Sequence, residues 1–183
     1  LFICSCFLSG PRGVLAEEMQ ASKLSTVLGS GKLRAGTQAA APPFATRRED
    51  GKFEGFSVDL LKLIAKSISE RFNTELKLEI SEITSANRIS AVSSGDIDIV
   101  CGVTTVTNAR EKDVDFSVPY FVDGTRILVQ NDKAVENVNG LKGASVGVLK
   151  DSTSIGTLGK YASEINLIVF NDFDKAMQSF VAG

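Results

Sequence analysis

Strand-like and helix-like stretches alternate along this chain, and that alternation constrains its fold more than any other feature. Residues 58–72 carry apolar side chains at helical spacing, and the alternating pattern of 75–80 predicts a half-buried strand. An almost wholly apolar run at 97–103 predicts a central parallel strand. Further elements are predicted at 32–37, 108–113, 125–130, 144–149, 152–161, 166–170 and 172–182. The order of these elements indicates an α/β fold with parallel strands.

A polar stretch at 130–143 interrupts the alternation and predicts a boundary between two lobes. We place the first lobe at 17–128 and the second at 129–183. The helix predicted at 172–182 has an apolar stripe, and such a helix normally leads into another element. We therefore expect the chain to be a fragment whose second lobe is incomplete.

The first residues resemble the end of a secretory signal. The apolar run at 1–8 is shorter than the roughly 20 residues that span a bilayer. Val14 and Ala16 fit a signal-peptidase site that cuts after Ala16. The interpretation is a partial signal peptide at 1–16 and a periplasmic or extracytoplasmic protein. A buried core helix and a lipoprotein signal ending at Cys6 are the alternatives.

The composition excludes several kinds of site. The chain has no His, which removes His-dependent catalytic triads and His metal ligands. Its three cysteines are spaced neither as a zinc site nor as a disulfide framework, so we expect no metal and no cofactor. Cys101 lies in an apolar run and is predicted to be a small buried residue. With 20 basic and 22 acidic residues the net charge is −2, which argues against a nucleic-acid partner.

Two stretches share one design, in which a hydroxyl residue at a predicted helix start is followed three positions later by an arginine. They contain Ser85 with Arg88 and Thr107 with Arg110. A hydroxyl caps a helix well, but a cation in the first turn is disfavoured by up to about 1 kcal/mol. A bound anion would remove that penalty, whereas an arginine that extends into solvent is the alternative. The hydroxyl-rich stretch at 150–154 is either a third anion site or a simple helix cap.

Several motifs occur in one order along the chain. They are Gly36-Thr37 with Pro43-Phe44, Gly55-Phe56-Ser57-Val58-Asp59-Leu60, Cys101-Gly102-Val103-Thr104-Thr105 through Arg110, and Leu141-Lys142-Gly143. Over about 24–183 this series resembles the family 3 extracytoplasmic solute-binding proteins of ABC importers, which take up amino acids. The stretches at 83–88 and 101–105 are most similar to the glutamate/aspartate-binding branch.

The resemblance implies a fold and a set of ligand contacts. The fold would be the two-lobed periplasmic-binding-protein fold of type II, in which the lobes close on the ligand like a clamshell. Arg110 and Thr105 would hold the ligand's α-carboxylate, together with Thr153 from the second lobe. The backbone oxygen of Val103 would receive the α-ammonium.

The same resemblance addresses the ligand's side chain. In the acidic-ligand branch, Ser85 and Arg88 match residues that hold the side-chain carboxylate. Gln38 stands where that branch tends to have a further arginine, which leaves an amide side chain open as the alternative. The family's acidic anchor for the ammonium is expected beyond Gly183.

The function implied is extracytoplasmic binding of glutamate or aspartate for delivery to the permease subunits of an ABC transporter. The protein would be a monomer and not an enzyme. Two alternatives stay open on the same fold. One is a ligand-sensing domain of a receptor or channel, and the other is an enzyme similar to cyclohexadienyl dehydratases.

Overall fold

The computed structural model describes residues 22–131, 135–161 and 163–183. The expected signal peptide at 1–16 lies outside these residues. In chain order the regular elements are α1 (Lys23–Ser30), β1 (Lys32–Thr37), β2 (Ala40–Ala41), β3 (Ala45–Arg47), β4 (Phe53–Glu54), α2 (Phe56–Phe72), β5 (Lys77–Glu82), α3 (Arg88–Ser93), β6 (Ile99–Val100), β7 (Ser145–Leu149), α4 (Thr153–Gly159), β8 (Asn166–Phe170) and α5 (Phe173–Ala182). Short 3-10 helices cover Arg110–Lys112 and Val138–Leu141. Within the described ranges, no helix combines the length and apolarity that crossing a membrane requires.

The first sheet is parallel, with the strand order β5-β1-β6. Strand β1 lies at its centre, where Ala35 pairs with Ile80 on one side and Ile99 on the other. The prediction that 97–103 forms the central strand is therefore wrong. Only Ile99–Val100 pairs within that run, and it lies at the edge because β1 already occupies the middle of the sheet.

Helix α2 supplies much of the core beneath this sheet. Val58, Leu61 and Ala65 are buried at helical spacing, as the apolar periodicity predicts. The helix begins after Gly55, whose φ of 120° and close approach to Phe44 exclude a side chain, since a Cβ would lie 2.6 Å from the Phe44 carbonyl oxygen. This packing holds the carboxyl end of β1 in place, and the candidate site follows directly after it.

A small antiparallel sheet has the strand order β2-β3-β4, and a separate parallel sheet consists of β7 and β8, with Val146 opposite Leu167. The predicted strand at 166–170 is confirmed, and the predicted helix at 172–182 is observed as α5. A separate core of Leu141, Val148, Leu158 and Ile165 lies beneath β7 and α4. Among the described residues the first parallel sheet packs against two buried clusters, and the sheet of β7 and β8 has this third one to itself.

Residues 113–131 connect the two sheets without a helix or a strand. The prediction of a strand at 125–130 is wrong. No described strand pairs with this segment, and residues 121–128 are exposed to solvent. Val118 and Val122 in the same stretch are 84% and 88% exposed. The lobe boundary predicted at 128/129 falls within this connection and stays a prediction.

Candidate functional site

A cleft of about 710 Å³ lies between α3, the 3-10 helix at Arg110–Lys112 and the start of α4. Residues that follow β5 and β6 line one side of the cleft, and residues that follow β7 line the other. They include Ser85, Ile89, Arg110, Asp151, Ser152 and Ile155. Of the residues predicted from the sequence, Ser85 and Arg110 line this space. Hydrogen bonds connect Gln38, Arg88, Val103 and Thr105 to these two residues, whereas Thr153 has no such bond to them among the described residues.

Arg88 is buried, with 5% of its surface exposed, so the alternative of an arginine extending into solvent is wrong here. Its Nη1 donates to the backbone oxygen of Val103 at 2.9 Å and to Ser85 Oγ at 3.4 Å. Burial, together with the nearby charge of Arg110, lowers the pKa of Arg88 to about 10. The side chain therefore remains a cation at neutral pH.

Gln38 contacts the backbone of Val103 twice. Its Oε1 accepts from the Val103 amide at 3.0 Å, and its Nε2 donates to the Val103 carbonyl at 3.4 Å. Gly102 makes this approach possible, since a Cβ at that position would overlap Gln38 Oε1. Gln38 thus fixes the orientation of the Val103 peptide, the group that is predicted to receive an ammonium.

Both terminal nitrogens of Arg110 donate hydrogen bonds to backbone carbonyl groups. Nη1 donates to Thr105 at 2.6 Å, and Nη2 donates to Asp151 at 2.7 Å. The Arg110 amide also donates to Thr107 Oγ1 at 3.3 Å, in the turn before the 3-10 helix, whose N-cap is Ala109 rather than the predicted Thr107. Thr105 therefore contributes its carbonyl to Arg110 rather than its hydroxyl. Burial lowers the pKa of Arg110, partly offset by the charge of Asp151.

The start of α4 forms the opposite wall. Thr153 is the first helical residue, and its carbonyl accepts from Thr157 Oγ1 at 3.1 Å. The neighbouring Ser152 lines the cleft, and its buried Oγ has no hydrogen-bond partner in the part of the chain that the structure describes. Sequence reasoning named the hydroxyl-rich stretch at 150–154 but did not single out Ser152 or Asp151. Asp151 takes part through its backbone carbonyl, which every residue type has, so the sequence could not identify this contact.

The structure brings the predicted residues together in two hydrogen-bonded groups. One contains Gln38, Ser85, Arg88 and Val103, and the other contains Arg110 and Thr105 with the carbonyl of Asp151. Thr153 stands beside the second group, and no hydrogen bond joins its side chain to either group among the described residues. The two groups are close, because Ser85 of the first and Arg110 of the second line the same cleft.

Several polar atoms around the cleft are buried without partners. Arg88 Nε, Thr104 Oγ1 and Ser152 Oγ each lack a hydrogen bond to any described residue. Neither Arg88 nor Arg110 has a carboxylate within 4.0 Å in the described ranges. Unpartnered donors beside two cations favour a ligand that brings anionic acceptors. No cluster of three metal-ligating side chains occurs over the same residues.

Residues 33–181 match the bacterial extracellular solute-binding proteins, family 3. A glutamine-binding protein of Geobacillus stearothermophilus is 38% identical over 155 residues, which cover 84% of this chain and 58% of the relative. An L-glutamate/L-aspartate-binding protein of Pseudomonas aeruginosa is 35% identical over 154 residues, which cover 83% of this chain and 50% of the relative. The chain thus spans between half and three fifths of the length of these relatives.

The crystal structure of the ancestral amino acid-binding protein AncCDT-1, a precursor of cyclohexadienyl dehydratase, is also similar. It superposes with a TM-score of 0.79 at 32% identity, covering 88% of this chain and 70% of that chain. The expected α/β periplasmic-binding-protein fold of type II is confirmed, and the chain covers part of it.

Proposed function

This chain belongs to the bacterial extracellular solute-binding proteins, family 3, and from that premise we propose that it binds an amino acid outside the cytoplasm for an ABC importer. Relatives named for binding glutamine or glutamate and aspartate support an amino-acid ligand. The partners proposed are the free amino acid and the membrane permease subunits, with the binding protein acting as a monomer.

The ligand that we propose is glutamate or aspartate. The observation that carries this choice is the pair of guanidinium groups beside the cleft, Arg88 and Arg110, neither of which has a carboxylate partner within 4.0 Å among the described residues. A neutral amino acid brings a single carboxylate, and it would leave one of these cations uncompensated. A ligand with two carboxylates compensates both, which is favourable where burial weakens hydration.

Each predicted residue has a place in this proposal. Arg110 would hold the α-carboxylate, assisted by the hydroxyls of Thr105 and Thr153. The Val103 carbonyl would accept a hydrogen bond from the α-ammonium, and Gln38 would keep that carbonyl oriented.

The ligand's second carboxylate would lie between Arg88 and Ser85, whose side chains already contact each other at 3.4 Å. The arginine would supply the charge, and the hydroxyl would donate a hydrogen bond.

Glutamine is the second candidate, and the 38% identity to a glutamine-binding protein favours it. Its amide oxygen could accept from Arg88 as a carboxylate does, but without neutralising the charge. Glutamate and glutamine therefore differ at this site only in the charge of the side-chain group that faces Arg88.

Calorimetric titration with glutamate, aspartate and glutamine tests the proposal. We expect at least one acidic ligand to bind at least tenfold more tightly than glutamine, a difference of about 1.4 kcal/mol or more in binding free energy. Tighter binding of glutamine would transfer the assignment to the amide. No binding of any of the three would contradict the proposed function.

A further inference from the structure

The Val103 carbonyl already accepts a hydrogen bond from a cation. Arg88 Nη1 lies 2.9 Å from this oxygen, and Gln38 Nε2 lies 3.4 Å from it. A carbonyl oxygen has two lone pairs, and these two donors use both. An ammonium that binds here must therefore displace one of them.

Of the two donors, Arg88 is the one that an ammonium would displace. Arg88 and the ammonium are both cations, and two cations that share one oxygen repel each other. The Gln38 amide is neutral, and it stays in place because its oxygen also accepts a hydrogen bond from the Val103 N–H. Displacing Arg88 has a cost, because its side chain is 5% exposed and its Nε already lacks a partner among the described residues. A buried guanidinium that loses its main acceptor needs another one.

We propose that Arg88 makes binding conditional on the ligand's side chain through an exchange of partners at Val103. The ligand's α-ammonium takes the Val103 oxygen from Arg88, and the ligand's side-chain oxygen becomes the new acceptor for the displaced guanidinium. This inference rests on the proposed function and adds a selectivity mechanism to it. Glutamate completes the exchange, glutamine completes it without neutralising the charge, and an apolar side chain leaves Arg88 without an acceptor.

The exchange differs from simple attraction in what happens when Arg88 is removed. If Arg88 only attracts the side-chain carboxylate, Arg88→Met lowers the affinity for glutamate and leaves the affinity for an apolar amino acid unchanged. If Arg88 also blocks the ammonium position, the same substitution raises the affinity for the apolar amino acid. Norvaline is a suitable probe because it is an unbranched amino acid whose side chain carries no polar group.

The experiment is a titration of the wild type and of Arg88→Met with glutamate and with norvaline. We expect Arg88→Met to lower glutamate affinity at least 30-fold and to raise norvaline affinity at least tenfold. Arg126→Met is the matched control, because Arg126 has an 86% exposed side chain far from these contacts in sequence and should change neither affinity. Unchanged or weaker norvaline binding by Arg88→Met, with glutamate still bound by the wild type, overturns the exchange and leaves the proposed function standing. A wild type that binds no glutamate contradicts the proposed function itself.

A second measurement is made on the wild type, and a variant serves only to assign one resonance. The Nε–H resonance of Arg88, assigned by its loss in Arg88→Lys, reports the surroundings of the guanidinium. We expect saturating glutamate to shift this resonance strongly, with norvaline producing a smaller shift in a different direction. Identical shifts with both ligands would overturn the exchange even if Arg88→Met does not fold.

Discussion

Arg110 and Asp151 are 41 residues apart in sequence and are joined by a hydrogen bond of 2.7 Å from Nη2 to the backbone carbonyl oxygen. Asp151 has a φ of 58°, in the left-handed region, at the turn between β7 and α4. The other terminal nitrogen of Arg110 bonds to Thr105 on its own side of the cleft. Arg110 therefore contacts both walls with two of its five N–H groups, which leaves the other three for a carboxylate that binds there.

Substitution of Arg110 by alanine should abolish ligand binding while leaving the chain folded. Removing a charged partner from a cleft leaves the ligand's carboxylate unpaired, a loss of about 2–5 kcal/mol in binding free energy. Calorimetric titration measures this loss, and circular dichroism checks the fold. Arg110→Lys should recover only part of the affinity, because an ammonium does not reproduce the bidentate geometry. An Arg110→Ala affinity within threefold of the wild type would contradict the assignment.

Gly102→Ala should act through Gln38. The new methyl group would overlap Gln38 Oε1, so the amide must leave both of its hydrogen bonds to Val103. We expect thermal unfolding to show a loss of about 1–3 kcal/mol in stability, with weaker ligand binding alongside.

The double variant provides the control for that mechanism. In a Gln38→Ala background there is no side chain to displace, so Gly102→Ala should cost less than about 0.5 kcal/mol. Gly29→Ala is the matched substitution elsewhere, since no described atom lies within 4 Å of its Cβ, and it should stabilise α1 by about 0.5–1 kcal/mol. Additive effects of Gln38→Ala and Gly102→Ala would show that the two positions are independent.

Asp98 should make stability depend on pH. Its side chain is 3% exposed, lies 2.6 Å from Arg34 Nη2 and 3.1 Å from Lys23 Nζ, and accepts from the Arg34 amide at 2.9 Å. Burial raises the pKa of Asp98, but the bonds from Arg34 and Lys23 outweigh burial and hold that pKa below its ordinary value. Because the folded pKa lies below the unfolded one, the stabilisation is present above the unfolded pKa, about 3.9, and is lost as pH falls through the folded pKa.

The measurement is the difference in unfolding free energy between the wild type and Asp98→Asn at a series of pH values. At pH 7 we expect Asp98→Asn to be less stable by about 1–3 kcal/mol, since both cationic partners are partly exposed and can rehydrate. The difference should shrink below pH 4. Asp59→Asn, on a side chain that is 69% exposed, should change stability by less than about 0.5 kcal/mol. A pH-independent difference between the wild type and Asp98→Asn would contradict the role of the charge.

Cys101 should react slowly with thiol reagents in the folded protein. It is 3% exposed, and burial raises the pKa of its thiol, only partly offset by the hydroxyls of Tyr120 and Ser57. Because the thiolate is the reactive form, alkylation at pH 8 should be about 100-fold slower than in denaturant. Peptide-resolved mass spectrometry separates Cys101 from Cys4 and Cys6. Equal rates in both conditions would show that this core opens readily.

Local patterns predicted the elements whose partners are close in sequence. The spacing of Val58, Leu61 and Ala65 predicted α2, because the buried face of a helix repeats every three to four residues within its own sequence. Helix α3 was predicted to open at Ser85 but begins at Arg88, because Asn87 Oδ1 accepts from the Thr84 amide at 2.7 Å and holds a turn there.

Features that depend on distant partners were predicted less well. The position of 97–103 within the sheet depends on which strand occupies the centre, and that is decided by pairing rather than by composition. The two arginines were identified by their spacing from a hydroxyl, but the burial of Arg88 depends on a carbonyl at Val103, 15 residues away. The contact with Asp151 involves a main-chain atom, and no side-chain pattern records it.

The hydrogen bonds that orient the Val103 peptide all involve its main chain, and they leave the residue type at this position free to vary. Gln38 and Arg88 hydrogen-bond only to the amide and carbonyl of this residue, which is 52% exposed as a whole. The identity of residue 103 is therefore uncoupled from the geometry of the peptide that it carries. Drift or engineering can enlarge, shrink or polarise the side chain at this position while the main-chain contacts persist. Residue 103 can therefore vary in size and polarity without loss of the hydrogen bonds that orient its peptide.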